Sequence, residues 1–227
     1  MRYVFLICSV LLFYSCKSQN IDELFLDFDE FPYTVDAEFY QNVHSNFDSL
    51  DPSYLRILYE NVDHIDENSN DNIVRAFIEI DSLKDIGKWT EEKKSEYWEF
   101  YTIDLKALHK FQISPEIFCY TWFLEYSDMN QGPSKVFMTI YKNNEPSYCF
   151  ELSSFAYYSD SPVWGDEEIE AQVFEDGLVK IHKIHAYGEY MDEGEDIEER
   201  WEEFKTISIK SGKVEVIDQK STRENEN

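Results

Sequence analysis

The chain has 227 residues, a formal net charge of −27 and an aromatic content of 17%. The excess of carboxylates argues against binding to nucleic acid or to anionic lipid headgroups, because both require cationic side chains near phosphate groups. The aromatic content argues against a disordered polyanion, because so many rings can form a hydrophobic core. A basic protein is the favoured class of partner, although an acidic surface also serves solubility alone.

The first sixteen residues have the pattern of an export signal. Arg2 precedes an apolar run, and polar residues follow directly after Cys16. The run is shorter than the ~20 apolar residues that a membrane-spanning helix needs. Ser15-Cys16 resembles a bacterial lipobox, in which the signal is cut before a cysteine that receives a lipid. We therefore expect a signal peptide at 1–15, acyl chains such as palmitate on Cys16 that hold the protein on a membrane, and a tether at 16–23.

The next part of the chain, residues 51–100, carries helix signals. Asp51-Pro52 is a favourable helix start, and apolar residues recur after it at helical spacing. A second predicted helix begins near Asp71 and ends near Gly87, and a third begins at Thr90. The end of the third helix stays open, because residues 97–110 fit either a helix or a strand.

From Pro115 onward the sequence favours strands and tight turns. Asn143-Asn144, Glu175-Asp176-Gly177 and Ser211-Gly212 separate runs of strand-forming residues. These runs predict about seven antiparallel strands between residues 115 and 218. The fold class expected is therefore α+β, with an N-terminal helical segment followed by the sheet, in a single domain over 24–220. Residues 221–227 are expected to form a disordered tail.

This layout carries a family resemblance. A lipobox, a short tether, the Phe31-Pro32 element, a few helices and a block of hairpins resemble a class of small lipoproteins common in Bacteroidota. The resemblance implies an outer-membrane location and leaves open whether the protein faces the periplasm or the cell surface. It supplies no catalytic residue, because that class has no signature motif.

Two cysteines, Cys119 and Cys149, remain after the signal and the lipidated residue are set aside. The exported location permits a disulfide bond between them. A predicted strand lies between their two strands, and in a simple meander this separates the cysteines. The sequence slightly favours two buried free thiols and leaves the disulfide open.

Two patterns in the sequence give weak indications of a metal site. His182 and His185 form the one close histidine pair of the sequence, but in a strand their odd spacing directs the rings to opposite faces. Residues 66–73 resemble half of a calcium-binding loop that lacks its closing glutamate, since Phe77 occupies that position. The sequence therefore predicts no metal and no other cofactor.

The strongest candidate for a binding surface is an acidic segment that also contains aromatic residues. Charged side chains steer a basic partner toward such a surface, and aromatic side chains anchor it. A solvated hairpin loop is the alternative interpretation. The candidate partner-binding residues are Tyr190, Asp192, Glu193, Glu195, Asp196, Glu198, Glu199 and Trp201.

No nucleophile, metalloprotease or nucleotide-binding motif is found in the sequence. The sequence therefore predicts a lipid-anchored, non-catalytic interaction module rather than an enzyme. Two alternatives stay open: an immunity-type inhibitor of a basic toxin, and a glycan- or ligand-binding lipoprotein. The second would use aromatic residues such as Tyr157, Tyr158, Trp164 and Trp201 as stacking platforms.

Overall fold

A computed structural model describes residues 21–51, 54, 58, 63–64, 90, 101–128, 134–160, 163–189 and 197–226. Within these residues most of the chain is β-strand. A short 3₁₀ helix, Ile21–Leu24, comes first, and α1 (Ala37–Asn46) follows β2. The strands are β1 (Leu26–Asp27), β2 (Tyr33–Val35), β3 (Ser49–Leu50), β4 (Asp63–His64), β5 (Tyr101–Ser114), β6 (Ile117–Asp128), β7 (Ser134–Lys142), β8 (Glu145–Asp160), β9 (Val163–Val173), β10 (Leu178–Glu189), β11 (Ile197–Ser208) and β12 (Glu215–Glu226).

The strands form one twelve-stranded sheet. Strands β5 to β12 follow one another as an antiparallel meander, in which each strand pairs with the next along the chain. The four short strands add to this meander: β1 and β3 pair with β5, β2 pairs with β9, and β4 pairs with β8. Consecutive hairpins suffice to build the long sheet, since antiparallel neighbours need only short turns.

The hairpin turns predicted from the sequence are confirmed, and their backbone shows why those residues occupy them. Asn143 and Asn144, between β7 and β8, have φ angles of 55° and 66°. Gly177, between β9 and β10, has φ of 75°, and a Cβ atom there would lie 2.8 Å from Cγ2 of Ile113. Left-handed backbone favours Asn and Gly, so these turns fix the register of the strands they join.

Strands β5 to β8, here called the core half, are buried on both faces. Alternate residues of β7 belong to two different hydrophobic clusters: Met138 lies in the larger cluster and Phe137 in the smaller. Trp122 of β6 is fully buried in the smaller cluster, where its ring stacks on Phe137 at 4.5 Å and its Nε1 donates to Thr139 Oγ1 at 2.9 Å. Two buried faces mean that the core half is the middle layer of the molecule.

The N-terminal segment covers both faces of the core half. Val43 of α1 packs into the larger cluster, and Phe25 packs into the smaller one. Asp22 accepts hydrogen bonds from Lys110 at 2.8 Å and from the Tyr120 hydroxyl at 2.9 Å. These contacts hold the lysine and the carboxylate together, and they lower the pKa of Asp22. The predicted tether at 16–23 is therefore already packed against the sheet at its end.

The two cysteines are free and buried. Cys119 lies on β6 in the larger cluster, and Cys149 lies on β8 in the smaller cluster, with β7 between their strands. Burial raises the pKa of both thiols, to about 12 for Cys149. The slightly favoured prediction of two free thiols is confirmed.

The predicted α+β fold class is wrong. The described part of the chain is one large sheet with more strands than the seven expected, and α1 is the one α-helix whose bounds lie within it. Most of the predicted helical segment, 51–100, lies outside the described residues. The choice between helix and strand that stayed open over 97–110 is decided for the described residues, because β5 begins at Tyr101.

A β-bulge explains why β5 resembles a helix in its sequence. The register between β5 and β6 shifts between Ala107 and Lys110. The bulge reverses the alternation: Leu105 and Ala107 pack into the smaller cluster, whereas Leu108 and Phe111, three residues apart, both pack into the larger. The spacing of three that favours a helix is here the consequence of a strand that changes face.

Two further corrections concern the ends of the chain. Helix α1 lies in a segment for which no helix was predicted, although Asp36 caps it by accepting from the Phe39 amide at 3.0 Å. At the other end, β12 continues to Glu226 through most of the tail predicted to be disordered at 221–227. Pairing with β11 orders those polar residues, which have no apolar pattern of their own.

Candidate functional site

The last four strands extend beyond the core. We define the wing as residues 163–170 of β9, 182–189 of β10, 197–206 of β11 and 215–226 of β12. No described side chain of the wing belongs to either hydrophobic cluster. On β12 every side chain from Glu215 to Arg223 is exposed. The β9 end of the wing is more covered, since Ile169 is only 7% exposed. Toward β12 little area is buried, so the side chains there are available for contacts with other molecules.

The strand register sorts the wing residues into rows that cross the sheet. One row runs Glu170, His182, Phe204, Lys220, and its neighbour runs Phe155 of β8, Glu168, Ile184, Glu202, Thr222. Because residues directly opposite each other share a face, these two rows lie on the same side of the sheet. A row on the other side runs Glu167, His185, Trp201, Arg223.

We call the side of the sheet that carries the first two rows the acidic face. It is defined by six residues of β8, β9 and β11 that lie on this side. Phe155 and Phe204 are 41% and 45% exposed there, which is unusual for phenylalanine in a monomeric sheet. The His182 ring stacks on Phe204 at 4.3 Å. The defining residues of the acidic face are Phe155, Asp166, Glu168, Glu170, Glu202 and Phe204.

Negative charge accumulates on the acidic face along β9. Partial burial raises the pKa of Glu168, and the neighbouring carboxylates of Glu170, Asp166 and Asp36 raise it further. Neither Glu168 nor Glu170 has an ion-pair partner within 4 Å among the described residues. By contrast, Glu202 is held by His182 at 3.3 Å and Arg200 at 3.1 Å. The β9 carboxylates therefore present uncompensated negative charge beside two exposed aromatic rings.

The opposite side of the wing contains an open groove. It has a volume of about 520 Å³ and is bordered by Tyr187, Trp201 and Arg223, among others. Tyr187 is 46% exposed, whereas one face of the Trp201 ring is covered by His185 at 4.7 Å between ring centroids. Arg223 forms an ion pair with Glu199 across the two outer strands. We call this feature the groove and define it by His185, Tyr187, Glu199, Trp201, Ser221, Thr222 and Arg223.

A cluster of polar residues connects the groove with the core half. Glu167 accepts from Ser154 Oγ at 3.0 Å and lies 3.0 Å from His185 and 3.3 Å from Lys183. Burial alone would raise the pKa of Glu167, but Lys183, His185 and the Ser154 hydroxyl lower it overall. Burial also lowers the pKa of His185. These groups satisfy one another, so the cluster is structural support for the groove rather than a reactive site.

The two histidines of the sequence pair are separated by the sheet. His182 lies on the acidic face and His185 on the groove side, which confirms the strand assignment and the opposite directions expected from it. Within the described residues no three His, Cys, Asp or Glu side chains come close enough to hold a metal ion. The calcium-like loop at 66–73 lies outside the described residues.

Only part of the binding surface predicted from the sequence can be compared with the structure. Tyr190, Asp192, Glu193, Glu195 and Asp196 lie outside the described residues, as does the side chain of Glu198. The remaining two, Glu199 and Trp201, both border the groove. Each has a partner within the protein, Arg223 for Glu199 and His185 for Trp201.

Sequence reasoning missed the acidic face. The acids Asp166, Glu168 and Glu170 alternate along the sequence, and all three lie in β9. Phe155 and Phe204 are distant in sequence and join these acids through the register alone. Of the predicted glycan platforms, Trp164 is partly buried, and a Cβ on Gly188 would lie 2.5 Å from its ring. The side chains of Tyr157 and Tyr158 are not among those described.

No protein-family model, no curated protein and no solved structure matches this chain. In the part of the chain that the structure describes, no helix is long and apolar enough to cross a membrane.

Proposed function

We propose that this chain is a lipid-anchored, non-catalytic interaction module of the bacterial envelope, held on the outer membrane by acyl chains on Cys16, and that it binds a basic protein through the acidic face. The observation that carries the proposal is the pairing of uncompensated carboxylates on β9 with the exposed rings of Phe155 and Phe204.

The acidic face has the properties of a protein-recognition surface. Clustered carboxylates at Glu168 and Glu170 attract a cationic partner over a distance of about 8–10 Å at moderate ionic strength. The two phenylalanines supply apolar area that loses contact with water only when a partner covers it. Burial and then the neighbouring carboxylates raise the pKa of Glu168, and a bound cation offsets the second of these effects because it attracts several carboxylates at once.

The anchor supports this function by placing the face near the membrane. The 3₁₀ helix overlaps the end of the predicted tether, and contacts of Asp22 and of β1 with β5 hold this part of the chain against the sheet. An inhibitor of a basic toxin is the specific form of this function that uses the same surface, because such an inhibitor covers cationic residues of its target.

The partner is tested by capture with matched variants. The lipid-free chain is immobilised and exposed to detergent-solubilised envelope proteins and to secreted proteins, and bound material is eluted with increasing salt. We expect one basic protein, bound stoichiometrically to the wild type, to be lost with Glu168→Gln/Glu170→Gln. The control Asp29→Asn/Glu30→Gln removes two exposed charges outside the wing and should retain it. Equal capture by both variants, or no captured protein, would refute the proposal.

The anchor is tested separately. Cys16→Ala should abolish labelling by a radioactive fatty acid and release the protein from membranes. Cys8→Ala, inside the predicted signal, should change neither result. Membrane attachment that survives Cys16→Ala would remove the lipid from the proposal and leave the acidic face untouched.

The groove supports a second candidate, a glycan-binding lipoprotein. Its volume of about 520 Å³ lies within the usual range for small-ligand sites, and the exposed ring of Tyr187 is of the kind that stacks on sugars. Titration with envelope oligosaccharides should then quench tryptophan fluorescence in the wild type, and Tyr187→Ala should abolish the change. An unchanged titration with Tyr187→Ala would eliminate this candidate.

A further inference from the structure

A cavity of about 420 Å³ lies on the acidic face, where β2 follows β8 along the edge of β9. Two rows of the strand register line it. The first row runs Thr34, Gln172, Lys180, Thr206, Asp218, and the second runs Glu170, His182, Phe204. Asp36 follows Val35, whose partner is Ala171, so it comes next to Glu170 and completes the second row.

Asp36 and Glu170 place two carboxylates side by side at the β9 end of the cavity. Asp36 is fixed there as the N-cap of α1, because its Oδ1 accepts from the Phe39 amide at 3.0 Å. Both carboxylates contribute to the raised pKa of Glu168. Like charges opposite each other on neighbouring strands repel and destabilise the pairing. A cation bound between the two carboxylates removes this repulsion, so the cavity favours a positively charged guest.

The next wall of the cavity is a pair of flat rings. His182 and Phe204 stack with 4.3 Å between ring centroids and 8° between ring planes, and Phe204 is 45% exposed. His182 lies between Glu170 and Phe204 in the register, so the ring surface begins one strand, or about 5 Å, from the carboxylates. A planar cation can stack on such rings while its edge donates hydrogen bonds to carboxylates.

We propose that the cavity receives the side chain of an arginine of the basic partner, with its guanidinium group beside His182 and donating to Asp36 and Glu170. The inference rests on the proposed binding of a basic protein by the acidic face, and it names the residue that this face recognises. Arginine fits better than lysine, because its planar group carries several donors in a flat fork, whereas an ammonium group is compact and strongly hydrated. Arginine is also enriched among the residues that contribute most to the affinity of protein interfaces.

Two lysines border the cavity without neutralising its carboxylates. The Lys180 ammonium group lies 5.1 Å from the centroid of the Phe174 ring, beside the hairpin that joins β9 to β10. Lys205 is opposite Ile181, at a position whose side chain alternates to the other side of the sheet. Within the described residues neither lysine forms an ion pair with Asp36 or Glu170. The two carboxylates are therefore available to a cation from another molecule.

A small probe tests the cavity without knowledge of the partner. N-acetyl-arginine amide carries a guanidinium group and no carboxylate, and saturation-transfer NMR with the detergent-solubilised protein detects its weak binding. N-acetyl-citrulline amide is the matched probe, because it has nearly the same shape and no charge. We expect the arginine probe to bind in the millimolar range and the citrulline probe about tenfold more weakly, since its hydrogen bonds lack the charge. Equal binding of the two probes, or no binding of the arginine probe, would overturn the proposal.

Matched variants locate the bound probe. Glu170→Gln should weaken binding about tenfold, whereas Glu203→Gln removes the same charge from the other side of the sheet and should leave binding unchanged. Thr206→Trp fills the cavity, changes no charge and should abolish binding, whereas Thr222→Trp adds the same ring outside the cavity and should not. If Thr206→Trp does not fold, the conservative Glu170→Gln still decides. Unchanged binding by Glu170→Gln, or an equal loss with Glu203→Gln, would contradict the site.

The capture experiment separates this inference from the proposed function. Loss of both the arginine probe and the captured protein with Thr206→Trp would support both. A basic protein that Thr206→Trp still captures at the wild-type level would contradict the arginine site and leave the proposed function intact. Binding of the arginine probe without any captured protein would support the guanidinium site and refute the proposed function.

Discussion

The core half and the wing are built from strands of the same kind and differ in what covers them. β6 of the core half and β10 of the wing each have twelve residues, or about 40 Å of extended chain. β6 places Phe123 and Trp122 in buried clusters on its two faces, whereas β10 buries Val179 in the larger cluster and packs Ile181 partly against it, both near one end of the strand. The N-terminal segment covers the first strand and not the far end of the second. Stability therefore depends on the core half, and the wing presents polar surface for recognition.

Replacing one tryptophan in each region, in two separate variants, tests this division. These variants should show the largest difference in the free energy of unfolding. Trp122→Ala should lower the free energy of unfolding by about 3–5 kcal/mol, because it leaves a cavity beside Phe137 and removes the hydrogen bond to the Thr139 hydroxyl. Trp201→Ala should cost about 1 kcal/mol or less, because that ring is only partly buried and its site is open to water. Urea unfolding measures both. Equal losses would contradict the division.

The buried ion pair between Lys135 and Glu151 gives the next effect. Its atoms are 2.6 Å apart and both side chains are at most 10% exposed. Lys135→Met should cost about 3 kcal/mol, since it leaves a buried carboxylate unpaired. Replacing both residues, as Lys135→Met/Glu151→Met, should recover most of that loss in the same unfolding experiment. A double variant as unstable as the single one would show that the pair supports the fold in some other way.

Acidification should destabilise the protein through two histidines, one in each region. Burial lowers the pKa of His109 and of His185, so the folded state disfavours their protonated forms. The stability they contribute is fully present above the unfolded pKa of about 6.5, and it is lost as the pH falls toward the folded values.

The urea midpoint should therefore fall between pH 7.5 and pH 5. The ring of His109 lies among the rings of Phe28 and Phe47. The glutamine side chain of His109→Gln cannot be protonated there, so the urea midpoint of this variant should depend less on pH. A pH dependence identical to that of the wild type would exclude His109 as a contributor.

The smallest effect is expected on the acidic face. The raised pKa of Glu168 means that its charge is disfavoured in the folded state, so Glu168→Gln should stabilise the protein at pH 7 by a few tenths of a kcal/mol after allowance for solvent screening. Glu202→Gln should have the opposite sign, since that carboxylate pairs with the Arg200 guanidinium and lies within hydrogen-bond distance of His182. Thermal unfolding of the two variants at low salt resolves the difference. Destabilisation by Glu168→Gln would contradict the accumulation of charge on β9.

The residue types at the turns predicted the hairpins correctly. Sequence patterns did not predict where a strand changes face or which distant residues share a face. Asn143-Asn144 and Gly177 occupy left-handed backbone that few other residues adopt, so the turns could be read from residue type. The bulge at Ala107 could not, because a strand that changes face has the same apolar spacing as a helix.

The acidic face depends on register, which is a property of paired strands. Phe155, Glu168 and Glu202 become neighbours only after β8 to β11 are aligned. The acidic segment predicted at 190–201 was identified from its density of charged residues alone. The two of its candidate residues whose side chains are described, Glu199 and Trp201, border the groove. The sequence therefore shows which acidic residues alternate along a strand. The strand register of the sheet decides which acidic and aromatic residues share a face.

Amide hydrogen exchange, measured by mass spectrometry on the native protein, tests the division between core half and wing most directly. The account predicts that amides of β6 and β7 exchange only through global unfolding, so Trp122→Ala should accelerate their exchange. Amides of the wing, at 182–189, 199–206 and 215–226, should exchange through local opening, which needs less free energy, and their exchange should not respond to that variant. Uniform protection across β5 to β12, changed equally by Trp122→Ala, would show one cooperative sheet and contradict the account.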